Sequence, residues 1–245
     1  MNINKKFFVE NFKTIIYALL IAIFIRSIFI QPFYIPSSSM EPNLLVGDRL
    51  FVTKYSYGYS KHSFPFSPNL FIGRLFFNSP KRGDVVVFKT PADNRTDYIK
   101  RLIGIPGDII QFIDGVLFLN DNQILKTKKK NINKIYCGNS NFEANTFEEK
   151  LPNGVKYNAV YNKKGSFQSS DKFIVPKNHY FFLGDNRDCS KDSRYLNTVG
   201  YVNKLNLVGK ARIIFFSTNK NKGDIFQIWK WFESIQWNRF FNIIK

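Results

Sequence analysis

The sequence predicts a mainly β protein: an N-terminal transmembrane helix followed by an antiparallel β-sheet core into which a smaller β subdomain is inserted. Three observations predict this class. They are an apolar run near the N-terminus, Gly-Asp turns that precede β-branched runs, and the lack of helical periodicity between residues 44 and 215. At 245 residues, 44% of them hydrophobic, the chain can form one or two domains with a substantial core.

The apolar run is TIIYALLIAIFIRSIFI, at residues 14–30. It would form roughly 25 Å of helix, slightly less than the hydrocarbon core of a bilayer at about 30 Å, and the following QPFYI extends its apolar character. We therefore predict a membrane anchor at 14–31 after a tail at 1–13. Two alternatives stay open from the run alone: a buried helix of a soluble protein and a cleaved secretory signal.

The charges that flank this run predict its orientation. Lys5, Lys6 and Lys13 precede it, whereas no Lys or Arg occurs between residues 31 and 48. Because positive charges stay on the cytoplasmic side, we expect a cytoplasmic N-terminus and the rest of the chain outside. Arg26 lies near the outer end, where its side chain can reach the headgroups.

The β core is predicted at 32–119 and 171–218. Two Gly-Asp turns lead directly into VVVF and IIQF, and further strand candidates are YIKRLIGI, GVLFLN, KFIV, HYFFLG and ARIIFF. Residues 120–170 are polar and rich in Lys and Asn, which indicates the inserted β subdomain. The segment 219–245 mixes aromatic and basic residues, so it is expected either at the lipid interface or packed on the β core.

The net charge and the cysteines limit which partners, metals and cofactors the sequence predicts. A formal charge of +18 favours polyanions such as nucleic acid or anionic lipid, although a Lys-, Asn- and Ile-rich coding bias would give the same excess. No nucleic-acid-binding motif is found, so no nucleic-acid partner is expected. Cys137 and Cys189 belong to no Cys/His cluster, which predicts no metal and no cofactor. Whether these two cysteines pair is left open.

Three serines, Ser37 to Ser39, stand between two prolines just after the apolar run. A nucleophilic serine needs a base, and with two histidines in the chain a Ser-His-Asp triad has few candidates. Lysine is the remaining choice. Bringing its pKa from about 10.4 into the neutral range costs about 4 kcal/mol, which burial among apolar groups can supply.

The stretch DYIKRLIGIPGD places a lysine inside an apolar strand. Alternation puts Lys100 on one face and Arg101 on the other, but it does not say which face is buried, and two exposed cations are an open alternative. A second stretch, LGDNRDCSKDSRY at 183–195, crowds acids, amides and arginines behind a strand. It could be a surface loop or a buried hydrogen-bonded floor, and it lacks the spacing of an EF-hand calcium loop.

Five blocks occur in order: the apolar run, IPSSSMEP, GDRLFVTKYSYG, PKRGDVVVF with DYIKRLIGIPGD, and GDNRDCSKDSRY. Together they resemble the bacterial type I signal peptidases (leader peptidases), over most of the chain. The resemblance implies a serine–lysine endopeptidase in an antiparallel β fold, anchored once in the inner (plasma) membrane with its catalytic domain on the outer, periplasmic side. It also implies removal of N-terminal signal peptides after small residues, at A-x-A-like sites.

The same resemblance assigns roles residue by residue. Ser39 would be the nucleophile, Lys100 the general base, and Ser37 with the backbone N–H of Ser39 the oxyanion hole. Ser190 would orient Lys100. The residues that would brace this floor are Asp192 and Arg194, and those that would line two shallow substrate pockets are Phe33, Ile35, Met40, Tyr98 and Ile99.

The partners implied are signal-peptide-bearing pre-proteins, the phospholipid bilayer and the neighbouring export translocon. Three positions depart from the usual pattern: Ser38 replaces a glycine, Cys189 an asparagine, and Leu196-Asn197 a Trp-Gly pair. These changes leave each implied catalytic group in place.

Two other functions are compatible with parts of the pattern. A self-cleaving protease similar to the SOS repressors would share the dyad, but no DNA-binding domain is visible in the sequence. A membrane-anchored β domain that binds envelope polymers would need no chemistry, and would leave Ser39, Lys100 and Ser190 without a shared purpose.

Overall fold

A computed structural model describes residues 2–137, 140–162, 169–219 and 228–245. The parts of the inserted subdomain at 138–139 and 163–168, and of the C-terminal segment at 220–227, lie outside the described residues. Within the described ranges the chain is mainly β, with one long N-terminal helix, as the sequence predicts.

The described elements comprise two α-helices and fifteen strands. The helices are α1 (Asn2–Ile28) and α2 (Trp231–Ser234). The strands in chain order are β1 (Ile30–Tyr34), β2 (Asp48–Thr53), β3 (Val85–Lys89), β4 (Asp97–Gly104), β5 (Ile109–Ile113), β6 (Val116–Leu119), β7 (Asn122–Gln123), β8 (Leu125–Cys137), β9 (Ser140–Lys150), β10 (Lys156–Asn162), β11 (Phe173–Ile174), β12 (His179–Leu183), β13 (Val202–Asn203), β14 (Leu207–Ser217) and β15 (Asn242–Ile243).

Helix α1 is longer than the expected anchor at its start and shorter at its end. No Gly or Pro interrupts residues 2–28, so the helix continues through most of the expected tail at 1–13. Its stretch Phe7–Ile28 has a mean hydropathy of 1.9, and residues 7–26 are all exposed. The helix ends before residue 31 because Pro32 favours extended backbone in the residue before it, and β1 already begins at Ile30.

The main sheet is antiparallel and has the order β1-β2-β14-β3-β4-β12-β13, with β15 beside β14. The register places Val86 opposite Lys100 on β3 and β4. Strand β12 pairs with β4 only from Arg101 onward, and β1 pairs only with β2 among the described strands. Two strand edges, β1 and the first half of β4, are therefore open on one side.

Two smaller sheets cover one side of the main sheet. One has the order β11-β5-β6-β7, and the other, formed by most of the expected insertion, has the order β10-β9-β8. A buried cluster joins all three sheets through residues such as Phe112, Tyr161 and Phe181. Alternate apolar residues of β5 and β6 contribute to this core, together with residues of β4, β10, β11 and β12.

Cys137 and Cys189 form a disulfide with a Cα–Cα distance of 5.5 Å. The bond connects the end of β8 to the loop that follows β12, across 52 residues of sequence. The pairing that the sequence left open is therefore present, and it fastens the smaller sheet to the polar loop at 184–194.

The C-terminal segment packs on the β core, the second of the two alternatives that the sequence left open. Strand β15 pairs with β14, and the Phe240 ring lies 5.3 Å from that of Phe216. Trp229, Trp237 and Phe241 nevertheless expose more than half of their surface. The segment thus packs on the β core and still presents aromatic side chains outward.

Replacing both cysteines, as Cys137→Ser with Cys189→Ser, should lower the free energy of unfolding by about 2–4 kcal/mol, because the unfolded chain gains freedom that the crosslink removes. Urea unfolding of the detergent-solubilised protein measures this change. Dithiothreitol should destabilise the wild type by a similar amount and leave the double variant unchanged. Equal stability of oxidised and reduced wild type would contradict a structural role for the bond.

Candidate active site

The serine run forms a tight turn directly after β1. Residues Ser38–Met40 make one turn of 3-10 helix, with Ser37 in extended conformation before it. Ile35 and Met40, at 2% and 0% exposure, hold the two sides of the turn in the core. Ser39 is thereby fixed at the edge of the main sheet, 7% exposed.

Lys100 reaches this turn from β4. Its Nζ lies 2.7 Å from Ser39 Oγ and donates to the carbonyl of Ile99 at 3.0 Å. The amine is 3% exposed, and the ring centroid of Tyr98 is 5.2 Å from it. The structure therefore joins the serine and the lysine that the sequence singled out, although 61 residues separate them.

Burial lowers the pKa of Lys100 from 10.5 to about 8, while the charges of Asp192 and Asp185 oppose the change without cancelling it. Desolvation penalises the ammonium more than the neutral amine. With a pKa near 8, about a tenth of the amines are neutral at pH 7. Lys100 can therefore accept a proton from a hydroxyl in contact with it.

The strand buries Arg101 as well as Lys100, so the alternative of two exposed cations is wrong. Arg101 Nε and Nη2 each lie 2.7 Å from a carboxylate oxygen of Asp185, and Nη1 donates to the carbonyl of Gly83. Alternation does send the two side chains to opposite faces. Both faces are covered, and the polar loop after β12 supplies the carboxylate that a buried guanidinium needs.

Ser37 lies beside the hydroxyl of Ser39. Its Oγ is 3.4 Å from Ser39 Oγ, and the side chain is exposed. The N–H groups in the first turn of a helix lack an intrahelical acceptor, and the N–H of Ser39 belongs to this class. The turn therefore offers a hydroxyl and an amide N–H in the region where a carbonyl oxygen would gain negative charge.

Asp192 and Arg194 form the buried floor behind Lys100. Asp192 accepts from the N–H of Gly184 at 3.0 Å and from Arg194 Nε at 2.8 Å. Burial alone would raise the pKa of Asp192, but the charge and hydrogen bonds of Arg194 outweigh it and lower that pKa. The 183–195 stretch is therefore a buried hydrogen-bonded floor rather than a surface loop.

Ser190 lies in this floor but makes no hydrogen bond with Lys100. Its Oγ is buried without a partner in hydrogen-bond geometry among the described residues, close to Asp192, whose pKa it helps to lower. Gly184 separates it from the serine turn. A Cβ at Gly184 would fall 2.1 Å from Ser190 Oγ and 2.5 Å from the carbonyl oxygen of Ser39, so this contact requires glycine.

Four of the five expected pocket residues belong to one apolar cluster. Ile35 and Met40 are buried in it, and Phe33 and Ile99 pack against it while half-buried. Tyr98 packs on the neighbouring cluster, where its ring stacks on Phe88 at 6.2 Å. The half-buried members lie on β1 and β4, the strands with open edges.

Sequence reasoning missed the residues that hold the serine turn in place. The backbone N–H of Asn186 donates to the carbonyl of Ser39 at 3.1 Å, and its side chain to that of Ser38 at 3.2 Å. Asn43 Nδ2 donates to Asp185 at 2.6 Å. Asn186 is an amide within the 183–195 motif and Asn43 directly follows IPSSSMEP, but a hydrogen-bond partner is not readable from residue type.

Two further buried ion pairs support the surroundings. Arg187 and Glu149 pair at 2.7 Å with the hydroxyls of Tyr157 and Tyr161 around them, which attaches the polar loop to the inserted sheet. Asp48 accepts from Arg239 Nε at 2.9 Å and from the N–H of Leu45 at 2.8 Å. The C-terminal segment thereby fixes the turn that follows Ser39.

Comparisons with known proteins agree on one family. The model of the family described as signal peptidase, peptidase S26, matches residues 8–216. Signal peptidase I of Rickettsia bellii (strain OSU 85-389) is 40% identical over 97% of this chain and 86% of that protein. Signal peptidase I of Rickettsia akari (strain Hartford) is 41% identical over 92% of this chain and 89% of its own.

A crystal structure of a signal peptidase I from Enterococcus faecalis V583 also matches, with 25% sequence identity. The match covers 54% of this chain and 97% of that chain, with a TM-score of 0.33. At this score the superposition adds no argument to those drawn from the sequence matches.

Asp185→Asn should lower the free energy of unfolding by about 3–5 kcal/mol, because it leaves the guanidinium of Arg101 buried without a countercharge. The matched control is Asp121→Asn, which removes the carboxylate from the pair with Lys172, whose side chains are 68% and 51% exposed. The control should cost less than about 1 kcal/mol. Urea unfolding compares the two, and equal losses would contradict the role given to the buried pair.

Proposed function

The chain belongs to the peptidase S26 family of signal peptidases, and from that premise we propose that Ser39 and Lys100 are its catalytic serine–lysine dyad. Family membership makes the protein a serine peptidase that removes signal peptides from pre-proteins. The dyad assignment rests on one observation above all: a buried amine of lowered pKa lies 2.7 Å from a serine hydroxyl.

In the proposed reaction neutral Lys100 removes the proton of Ser39 Oγ as this oxygen attacks the scissile carbonyl. The N–H of Ser39 and the hydroxyl of Ser37 stabilise the oxyanion. Lys100, now an ammonium, gives its proton to the leaving amine. A water molecule then hydrolyses the acyl-enzyme, with Lys100 again as the base.

Ser190, Asp192 and Arg194 are proposed as support for Lys100. The Asp192–Arg194 pair fixes the loop that carries Ser190, whose unpartnered hydroxyl is available to accept from Lys100 once the amine is protonated. An ammonium has three donors, and two partners are present before the reaction.

The substrate is proposed to bind as an extended strand between the open edges of β1 and β4. Main-chain hydrogen bonds would hold it, and the cluster around Ile35 and Met40 would receive its side chains. Because Ile35 and Met40 are buried in that core, the substrate would contact only Phe33, Tyr98 and Ile99. The pockets that these side chains form would therefore be shallow and would admit only small side chains. This supports cleavage at A-x-A-like sites.

We further propose that α1 anchors the protein in the inner (plasma) membrane, with the N-terminus in the cytoplasm and the catalytic sheets outside, beside the export translocon. The apolar stretch Phe7–Ile28, exposed over residues 7–26, supports the anchor, and the lysine asymmetry supports the orientation. The disulfide supports it as well, because such bonds persist in oxidising compartments. The proposed domain limits are 32–119 with 171–218 for the catalytic core and 120–170 for the insertion.

The dyad is tested by cleavage of a secretory precursor with the detergent-solubilised protein. Ser39→Ala, Lys100→Met and Lys100→Arg should each lose activity by about three orders of magnitude or more, the arginine variant because a guanidinium stays protonated. Lys177→Met, at an exposed turn, is the control and should retain activity. Normal turnover in either Lys100 variant would exclude this residue as the base.

The same Lys100→Met variant should be more stable than the wild type at pH 7. Folding lowers the pKa of Lys100 from 10.5 to about 8, which corresponds to about 3 kcal/mol. At pH values where the folded and the unfolded chain both carry the proton, the free energy of unfolding is lower by this amount. Between these two pKa values only the unfolded chain binds the proton, so wild-type stability should rise with pH there. Thermal unfolding at pH 7 and pH 9 measures both effects, and a less stable Lys100→Met would contradict them.

Activity should follow deprotonation of Lys100. Since the neutral amine is the active form, kcat/KM should rise about tenfold per pH unit below the pKa and level off above about 8. A pH–rate profile on a short precursor peptide measures this limb. A limb centred near pH 6.5 or below would point to a different base.

A further inference from the structure

A separate cleft of about 290 Å³ lies beside the C-terminal end of α1. It is called here the helix-end cleft, and the side chains used below are Arg26, Phe33, Phe66, Lys89, Arg95 and Asp97. Two hydrogen bonds fix its wall to the helix end: Tyr59 OH donates to the carbonyl of Ile28, and the N–H of Lys54 to that of Phe29, both at 3.0 Å.

The helix-end cleft carries uncompensated positive charge. Arg26, Lys89 and Arg95 line it, and Asp97 is the one carboxylate among its described lining residues. Asp97 pairs with Lys89 at 2.9 Å, which leaves the two arginines without a countercharge in the cleft. Both arginine side chains are exposed. Positive charges gathered in one cleft attract anions.

The pKa of a neighbouring lysine responds to this charge. Lys54 is buried just behind the cleft, and its pKa is lowered to about 8, first by burial and then by the charge of Arg26. Lys89 contributes in the same direction, and Asp97 opposes it. The positive field of the cleft therefore extends into the protein and is not balanced there.

The loop that supplies Phe66 to the cleft is apolar and faces outward. Phe66, Ile72 and Phe76 belong to the loop at 64–77, and their exposures are 103%, 102% and 85%. Large apolar side chains exposed together are typical of interaction sites. This loop begins beside the end of α1, so its apolar surface continues that of the membrane-spanning stretch.

We propose that the helix-end cleft binds the phosphate headgroup of an anionic glycerophospholipid, with Arg26 and Arg95 on the phosphate and the loop at 64–77 among the acyl chains. Guanidinium groups suit phosphate because they donate two parallel hydrogen bonds. A lipid fits because basic charge and apolar surface adjoin at the end of a membrane helix. The proposal rests on the membrane anchoring of α1 proposed above.

Lipid in this cleft would lie next to the entrance for the substrate. Phe33 lines the cleft and also packs on the apolar cluster between the open strand edges. A bound headgroup would thus hold the β1 side of the groove at the membrane surface. We expect anionic lipid to lower KM for membrane-inserted precursors without changing the chemistry at Ser39.

The test measures binding of dihexanoyl phosphatidylglycerol, and of dihexanoyl phosphatidylcholine, to the detergent-solubilised full chain by titration calorimetry. Arg95→Gln is the informative variant, since the described hydrogen bonds of Arg95 use its backbone. It should weaken phosphatidylglycerol binding about fivefold, from about 1 kcal/mol per basic residue. Lys177→Gln is the matched control and should bind as the wild type does.

Ser39→Ala should bind phosphatidylglycerol normally, so the failure of this proposal and that of the catalytic proposal are distinguishable. Equal binding of both lipids, or unchanged binding in Arg95→Gln, would overturn it. Inorganic phosphate binding as tightly as phosphatidylglycerol would assign the cleft to free phosphate instead. If Arg95→Gln raised KM for a precursor equally in phosphatidylcholine vesicles with and without phosphatidylglycerol, and left lipid binding intact, the occupant would be the precursor.

Discussion

The burial of one amine is the constraint on which the rest of the site depends. Lys100 Nζ contacts Ser39 Oγ at 2.7 Å and is almost fully removed from solvent. An ammonium in such a position is unfavourable, and this cost is what leaves part of the amine neutral, and able to accept a proton, near neutral pH. The register of β3 with β4, the serine turn and the floor at 184–194 all keep water away from this contact.

The buried cations near the site differ in whether a carboxylate pairs with them. Three buried arginines near the site, Arg101, Arg187 and Arg194, each pair with a carboxylate at 2.7 or 2.8 Å. Lys100 has a hydroxyl and a carbonyl as its described partners. The fold therefore pairs each of these three guanidinium groups with a carboxylate, whereas the described hydrogen-bond partners of Lys100 are uncharged. Paired arginines also fix the loop that closes the site, because removing either partner would leave a buried charge.

Much of the fold was predictable because its signals are local. The apolar run predicted α1, and the Gly-Asp turns located β3 and β5 because each glycine permits the turn that starts a strand. The end of α1 was missed by a few residues, since the apolar composition continues into β1 while Pro32 changes the backbone. The disulfide could not be predicted, because two cysteines at this separation meet only once the inserted sheet packs on the polar loop.

The residues of the candidate site also divide into those that the sequence predicted and those that it did not. The order of the motifs identified Ser39 and Lys100, and the contact between them is visible in the structure. The burial of Arg101 was not predictable from alternation, because it depends on a carboxylate about 84 residues away in sequence. Asn186 and Asn43 were missed for a similar reason: their backbone and side-chain partners are set by how two loops pack, not by spacing along the chain.

The disulfide between Cys137 and Cys189 has a consequence for when the protein acquires its final structure. It restrains the residue directly before Ser190, and the Cys189 sulfur lies 3.8 Å from Ser38 Oγ. A newly synthesised chain whose sheets are still in a reducing cytosol would lack this restraint at the two loops beside Ser39 and Lys100. Under the proposed topology the bond would form only after the sheets have crossed the membrane, so the loop that carries Ser190 would gain this restraint on the side where pre-proteins emerge.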